Sequence, residues 1–308
     1  MKQETIQEKK ALVLYSGGLD SRLAIRILQD QGFKIEALYF NLPYGCGCCN
    51  ISCNFNFTQK ESIKLTILDV TKEPLLGEYL KVIKDPKYGI GAGINPCKDC
   101  KIYIFKKAKE YAEENNIPVI ATGEVLGQRP MSQIPRAMNI IDDALGFEIL
   151  RPLSAKLLDE TKAEKDGLVD RSKLLDINGR SRKIQMKLAA EYEIKYPSPG
   201  GGCFLCEKSP AKRLKKLFEL KLVNEDTIPL SIMGRHFLIN NTWIVVARNA
   251  TECTLIEERY KSILKGESGR PSVYFSTEEG KENALKLQEV YSTGMSEEER
   301  EKFAEFKL

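Results

Sequence analysis

Leu12-Val13-Leu14-Tyr15-Ser16-Gly17-Gly18-Leu19-Asp20-Ser21 is the stretch on which the reading of this chain turns. Its apolar run predicts a short strand buried on both faces. A Ser-Gly-Gly turn follows, and then Leu23, Ala24, Ile27 and Leu28 recur at the spacing of one helical face. The two glycines let backbone approach a ligand with no Cβ in the way. The helix start aims unpaired N–H groups and the positive end of its dipole into the same space. Ser16 and Ser21 add hydroxyls. Strand, turn and helix together predict an anion cradle suited to phosphate. No Gly-Lys-Ser/Thr closes it, so it is not a Walker loop.

Outward from that stretch the alternation continues. Gly32 stands where the first helix should end. Strands are expected at Lys34–Phe40, Leu65–Val70, Pro118–Thr122 and Phe147–Leu153, and a helix from Cys97 to about Asn115 with Ile102, Phe105 and Ala112 inward. Such β-α-β order predicts an α/β fold, a parallel five-stranded sheet with helices on both faces that binds ligands at the carboxyl ends of its strands. Gly179 to Lys183 opens a helix whose inward face is read as Ile184, Leu188 and Tyr192. Lys208–Lys221 reads as a basic amphipathic helix with Leu214, Leu217 and Phe218 as its apolar face. From about Val223 the character changes. Arg235 to Asn249 reads as a hairpin turning at Asn240-Asn241, a type I′ signal. The expected division is a polar tail at 1–10, a catalytic domain at 11–207, a linker helix at 208–222 and a small α+β domain at 223–308.

The chain has 308 residues, 42% hydrophobic and 29% charged, with a net charge of +4. That length accommodates an α/β core and a second domain. The charge permits nucleic-acid binding without demanding it. Met1–Lys10 has no apolar leader pattern and no window resembles a membrane span, which predicts a cytoplasmic protein with no membrane partner. Nine cysteines then favour metal, cluster or sulfur chemistry over a disulfide framework. A single histidine, His236, excludes a His-rich zinc site.

Cys97-x-x-Cys100 opens a helix, where thiols ionise readily. Three uses compete: a zinc half-site, a redox dithiol, or two ligands of an iron–sulfur cluster. Cys203-x-x-Cys206, after a glycine run, supplies the second half of any of them, and a four-cysteine zinc site remains open on spacing alone. Cys46, Cys48, Cys49 and Cys53 form a denser group, either a metal site or a loop of free thiols. Cys253 is read as structural.

The Ser-Gly-Gly-x-Asp-Ser string resembles the PP-loop of ATP pyrophosphatases. The order PP-loop, Asn95-Pro96-Cys97-x-x-Cys100, Ala121-Thr122-Gly123 and Gly202-Cys203 resembles tRNA-thiolating PP-loop enzymes, the 2-thiouridylases and 4-thiouridine synthetases. Gly123–Gln133, Arg151–Lys156 and Gly179–Lys183 extend the likeness to a subgroup that ends in a small RNA-binding-like domain. The resemblance implies a sulfurtransferase that uses ATP to adenylate a tRNA uridine carbonyl oxygen, which sulfur then replaces. It implies that Ser16, Gly17, Gly18, Asp20, Ser21, Phe40 and Gly123 hold ATP, with Asp20 near Mg2+ or the reacting phosphate. It also implies that Cys97, Cys100 and Cys203 hold a [4Fe-4S] cluster, zinc being the alternative. In cluster-free schemes Cys100 and Cys203 are instead the catalytic pair. Many 2-thiouridylases carry Asp at the position of Cys97, and the third thiol here favours the cluster. Cys206 is left over, either a spare ligand or a neighbour with no role.

For tRNA contact the residues singled out are Arg129, Arg180, Arg182, Lys183, Lys212 and Arg213. Three of these charges precede a helix start, where the dipole disfavours them unless an anion is near. His236 and Trp243 are read as core more readily than as base contacts. The sulfur donor, free sulfide or a carrier protein, is left open, and a homodimer is allowed. Two rivals stand beside this reading: a PP-loop amidotransferase or ligase with structural zinc, and a non-catalytic RNA-binding module.

Overall fold

A computed structural model describes residues 9–45, 51–89, 91, 93–198 and 202–308, and the side chains at 51–55 are outside that description. The chain divides into two compact units, Met1–Glu207 and Lys208–Leu308. The first unit carries β1 (Lys10–Leu14), α1 (Leu19–Gln29), β2 (Lys34–Asn41), α2 (Ile51–Lys60), β3 (Lys64–Asp69) and α3 (Leu75–Lys84). It continues with α4 (Cys97–Glu114), β4 (Val119–Thr122), α5 (Pro135–Leu145), α6 (Lys162–Lys165) and α7 (Lys183–Glu191). Its sheet is parallel throughout, in the order β3-β2-β1-β4.

Alternation along the central strand divides the core. Ala11 and Val13 face one side with Leu23, Ala24 and Ile27 of α1 and Ala189 of α7. Leu12 faces the other with Phe105, Ala108 and Ala112 of α4 and Ile141 of α5. Ala11, Leu12 and Val13 are all fully buried. Helices therefore cover both faces, as the continuous apolar runs predict.

The sheet has four strands among the described residues, not five. The expected fifth, Phe147–Leu153, pairs with β4 through Leu150 alone. Thr122 N–H donates to the Leu150 carbonyl and Leu150 N–H to that of Ile120, both at 2.9 Å. Pro152 has no N–H to extend the ladder, and the chain turns there. A second correction concerns α7. Ile184 is 54% exposed, and Gln185 and Ala189 are the buried positions. Leu188 and Tyr192 pack against the core, partly buried, as expected, so only Ile184 departs from the expected inward face.

The second unit begins with α8 (Lys208–Glu219), which buries Ala211, Leu214, Leu217 and Phe218. After α9 (Ile228–Ile232) come β5 (Arg235–Ile239) and β6 (Thr242–Val246), paired antiparallel. Asn240 and Asn241 have φ of 49° and 61°, as a type I′ turn requires. Then follow α10 (Ala250–Arg259), β7 (Ile263–Leu264), β8 (Val273–Phe275), α11 (Lys281–Val290) and the exposed α12 (Glu297–Glu301). The sheet runs β5-β6-β8-β7 over a core of Phe237, Ile244, Val246, Phe275 and Leu287. Among the described residues no helix is long and apolar enough to cross a membrane.

Candidate functional site

The loop between β1 and α1 is built around backbone. Gly17 takes φ +78°, a region that L side chains avoid. No side chain caps α1 at Gly18, so the first helical N–H groups have no local acceptor. Ser21 donates to the Gly18 carbonyl at 2.9 Å and lies 3.4 Å from the Ser16 hydroxyl. Arg22, 4% exposed, holds the loop from behind. Its Nε donates to the Gly17 carbonyl at 2.8 Å and its Nη1 to the Lys195 carbonyl at 2.6 Å, with the guanidinium 4.6 Å from the Phe57 ring centroid. Turning the loop carbonyl toward Arg22 leaves the opposite side of the turn to an anion. Sequence reasoning passed over Arg22, because one helical arginine carries no signal of the carbonyls it holds.

Asp20 lies beside this cradle. Gln128 Nε2 donates to its Oδ2 at 3.1 Å, while Oδ1 is buried without a partner. Burial raises the Asp20 pKa, opposed by the Gln128 bond and by Arg182 and Arg129 nearby. Arg182 Nε is itself buried without an acceptor. An orphaned carboxylate oxygen and an orphaned guanidinium N–H at a phosphate-type loop fit a metal–phosphate ligand. Phe40, half-buried, stands at the carboxyl end of β2, the strand next to β1.

The end of β4 links this loop to the thiols. A Cβ on Gly123 would stand 2.5 Å from both the Asp20 carbonyl carbon and the Ser21 nitrogen, so only glycine lets the strand end rest on the loop. The next residue, Glu124, is buried and takes Lys101 Nζ on one oxygen and Arg151 Nε on the other, the latter at 3.0 Å. Arg151 in turn forks onto Asp142 at 2.7 and 3.0 Å. Burial, with Arg151 and Arg129 nearby, draws Lys101 down to about 7, against the ion pair that holds it charged. Lys101 follows Cys100 directly, so the strand end touches the Ser16–Ser21 loop and the thiol helix in consecutive residues.

Cys97 is the first residue of α4, a helix with no side-chain cap. Four thiols gather there, all half-buried by residue: Cys97, Cys100, Cys203 and Cys206. Cys97 and Cys206 Sγ stand 3.3 Å apart. Contact with Cys203 and Cys97 raises the Cys206 pKa, while contact with Cys206 lowers Cys97 to about 7 and lowers Cys203 as well. Cys100 is pushed up to about 12 by burial, and its Sγ lies 3.4 Å from the Tyr79 hydroxyl. Cys203 donates to the Tyr44 carbonyl at 3.2 Å. Cys206, read from sequence as either a spare ligand or a bystander, thus touches two of the predicted thiols, Cys97 and Cys203. Among the described residues no three His, Cys, Asp or Glu side chains are spaced as a ready-made metal cage. The donor set still fits iron or zinc, since four thiols from two segments are the ligands such centres take. Cys46, Cys48 and Cys49 lie outside the described residues, as does the side chain of Cys53.

The basic residues divide between the units. In the first, Arg129, Arg180 and Lys183 are exposed and Arg182 half-buried; in the second, Lys212 is exposed and Arg213 half-buried. Trp243 and His236 are 0% and 1% exposed, so both are core.

Comparison with known proteins supports the same frame. The family model of the thiamine biosynthesis protein ThiI matches residues 6–164, just over half of the chain and including both the loop and the first thiol pair. The chain belongs to the ThiI family. Among the curated relatives of this ThiI-family chain is a "Probable tRNA sulfurtransferase" of Halothermothrix orenii, 32% identical over 156 residues, covering 47% of this chain and 35% of that one. A tRNA sulfurtransferase of Blochmanniella pennsylvanica is 25% identical over 247 residues, covering 79% of this chain and 43% of the relative. The chain therefore spans less than half the length of these two relatives. A solved 4-thiouridine synthetase in complex with RNA and bound ATP is similar over 72% of this chain and 52% of its own, at 21% identity and a TM-score of 0.44.

Proposed function

We propose that this ThiI-family chain is an ATP-dependent tRNA sulfurtransferase that converts a uridine to 2- or 4-thiouridine. The observation that carries the reading is the β4 end, where Gly123 rests on the Asp20–Ser21 backbone and Glu124 binds Lys101 beside Cys100. An activating site and a sulfur site joined through consecutive residues suit a two-step reaction. In the first step the uridine carbonyl oxygen attacks the α-phosphorus of ATP and pyrophosphate leaves. The N–H groups of the Ser16–Ser21 loop hold the departing phosphates, Asp20 is the residue that would hold Mg2+, which would neutralise phosphate charge there, and Arg129 and Arg182 balance the developing charge. In the second step sulfur attacks the activated carbon and AMP departs with the former carbonyl oxygen.

Cys97, Cys100 and Cys203 are the residues that would hold a [4Fe-4S] cluster, with zinc as the alternative occupant. Such a centre would supply a soft metal to which sulfide binds. Arg180 and Lys183 in the first unit and Lys212 and Arg213 in the second are the candidate contacts to tRNA phosphates. The first step is tested with ATP labelled at the α-phosphate. Unmodified tRNA should take up the α-label as pyrophosphate leaves, with AMP released once sulfide is added, and Asp20→Asn should reduce the labelling rate by at least about tenfold. ATP turnover to AMP that ignores tRNA would move the acceptor to another molecule.

A further inference from the structure

Cys206 has no part in the reading above, yet the fold places it with care. The Leu205 carbonyl accepts N–H bonds from both Ile94 and Asn95, at 2.9 and 3.0 Å, just before α4 begins. Asn95 takes φ +47° to make this contact, and a Cβ on Gly93 would stand 2.7 Å from the same carbonyl oxygen. The Cys203–Cys206 turn, closed by Cys206 N–H to the Cys203 carbonyl at 2.8 Å, is thereby clamped over the start of α4. The clamp brings the Cys206 and Cys97 sulfurs to 3.3 Å. Of the other two thiols, Cys100 is turned to the Tyr79 hydroxyl, and Cys203, although it also touches Cys206, donates to the Tyr44 carbonyl.

We propose that Cys97 and Cys206 form a reversible dithiol–disulfide couple, so that oxidation withdraws Cys97 from the thiols available to a metal or to sulfur. The sulfurs need to close by only about 1.3 Å to reach bonding distance. Both thiols lose their protons and an S–S bond forms between them. The two electrons pass to an external low-molecular-weight disulfide, whose own S–S bond breaks to give two thiols. The couple rests on the thiol geometry and not on the thiolation reading, and its test reads mass rather than activity.

The full chain is reduced anaerobically, equilibrated with oxidised glutathione, alkylated, digested with trypsin and examined by mass spectrometry. Lys98 puts Cys97 and Cys100 on separate peptides, while Cys203 and Cys206 share one and are distinguished by fragmentation. The expected product is a Cys97–Cys206 cross-link at least tenfold more abundant than any other pairing. Cys203→Ser should retain that link, and Cys206→Ser should leave Cys97 alkylated or carrying glutathione. A dominant Cys100–Cys203 or Cys203–Cys206 bond would overturn the proposal. So would a Cys97–Cys203 link at wild-type yield in Cys206→Ser, or full alkylation of Cys97 and Cys206 in the oxidised wild type.

Discussion

His236 shows how burial sets chemistry at one residue. It is 1% exposed, and its Nδ1 accepts the Trp243 indole N–H at 3.0 Å. Burial first, and then Arg213 and Arg248, lower its pKa to about 3, with the Met233 backbone opposing. Between pH 3 and about 6.5 the unfolded chain binds a proton that the folded chain refuses. Stability from this group is therefore fully present above about pH 6.5 and is lost as pH falls toward 3, by on the order of 4 kcal/mol. His236→Asn retains an acceptor for the indole but does not titrate. Urea midpoints read by fluorescence of Trp243, the only tryptophan, should fall more steeply with acid in the wild type than in the variant. Parallel pH profiles would show that His236 is not held neutral. The sequence suggested core for both rings, but not their hydrogen bond, because partners across a hairpin depend on register.

At the scale of elements, the end of β4 and the start of α4 depend on Glu124. Its carboxylate lies between Lys101 and Arg151, and Arg151 is 5% exposed. Glu124→Gln leaves two cations facing a neutral group in a buried setting, and should cost about 3–5 kcal/mol in urea unfolding of the first unit. Asp142→Asn removes a partner that is 38% exposed and should cost less than about 1 kcal/mol. Equal losses would mean that Glu124 is not the hub. These elements were legible because their patterns are local: the apolar runs of β1 to β4 and the helical spacing in α1 and α4. The misreadings have local causes too. Pro152 stopped the fifth strand after one bridge. On α7 the polar Gln185 took the fully buried place for which Ile184 looked the better candidate.

Across the whole molecule, two units are built on separate sheets, and the candidate chemistry lies in the first. The loop and the CxxC pairs could be read from sequence because spacing alone announces them. Their junction could not. That Gly123 rests on Asp20, that Arg22 holds the Gly17 carbonyl and that Cys206 meets Cys97 are long-range contacts which no local pattern encodes. The central claim is that ATP activation and sulfur delivery meet on one tRNA uridine. The most direct test is an anaerobic reaction of the iron- and sulfide-reconstituted protein with unmodified tRNA, ATP, Mg2+ and sulfide, with digested nucleosides read by mass spectrometry. A thiouridine that appears only when ATP is present, and is lost in Cys100→Ala, is the predicted result. ATP consumed to AMP with no thionucleoside in any fraction would contradict it.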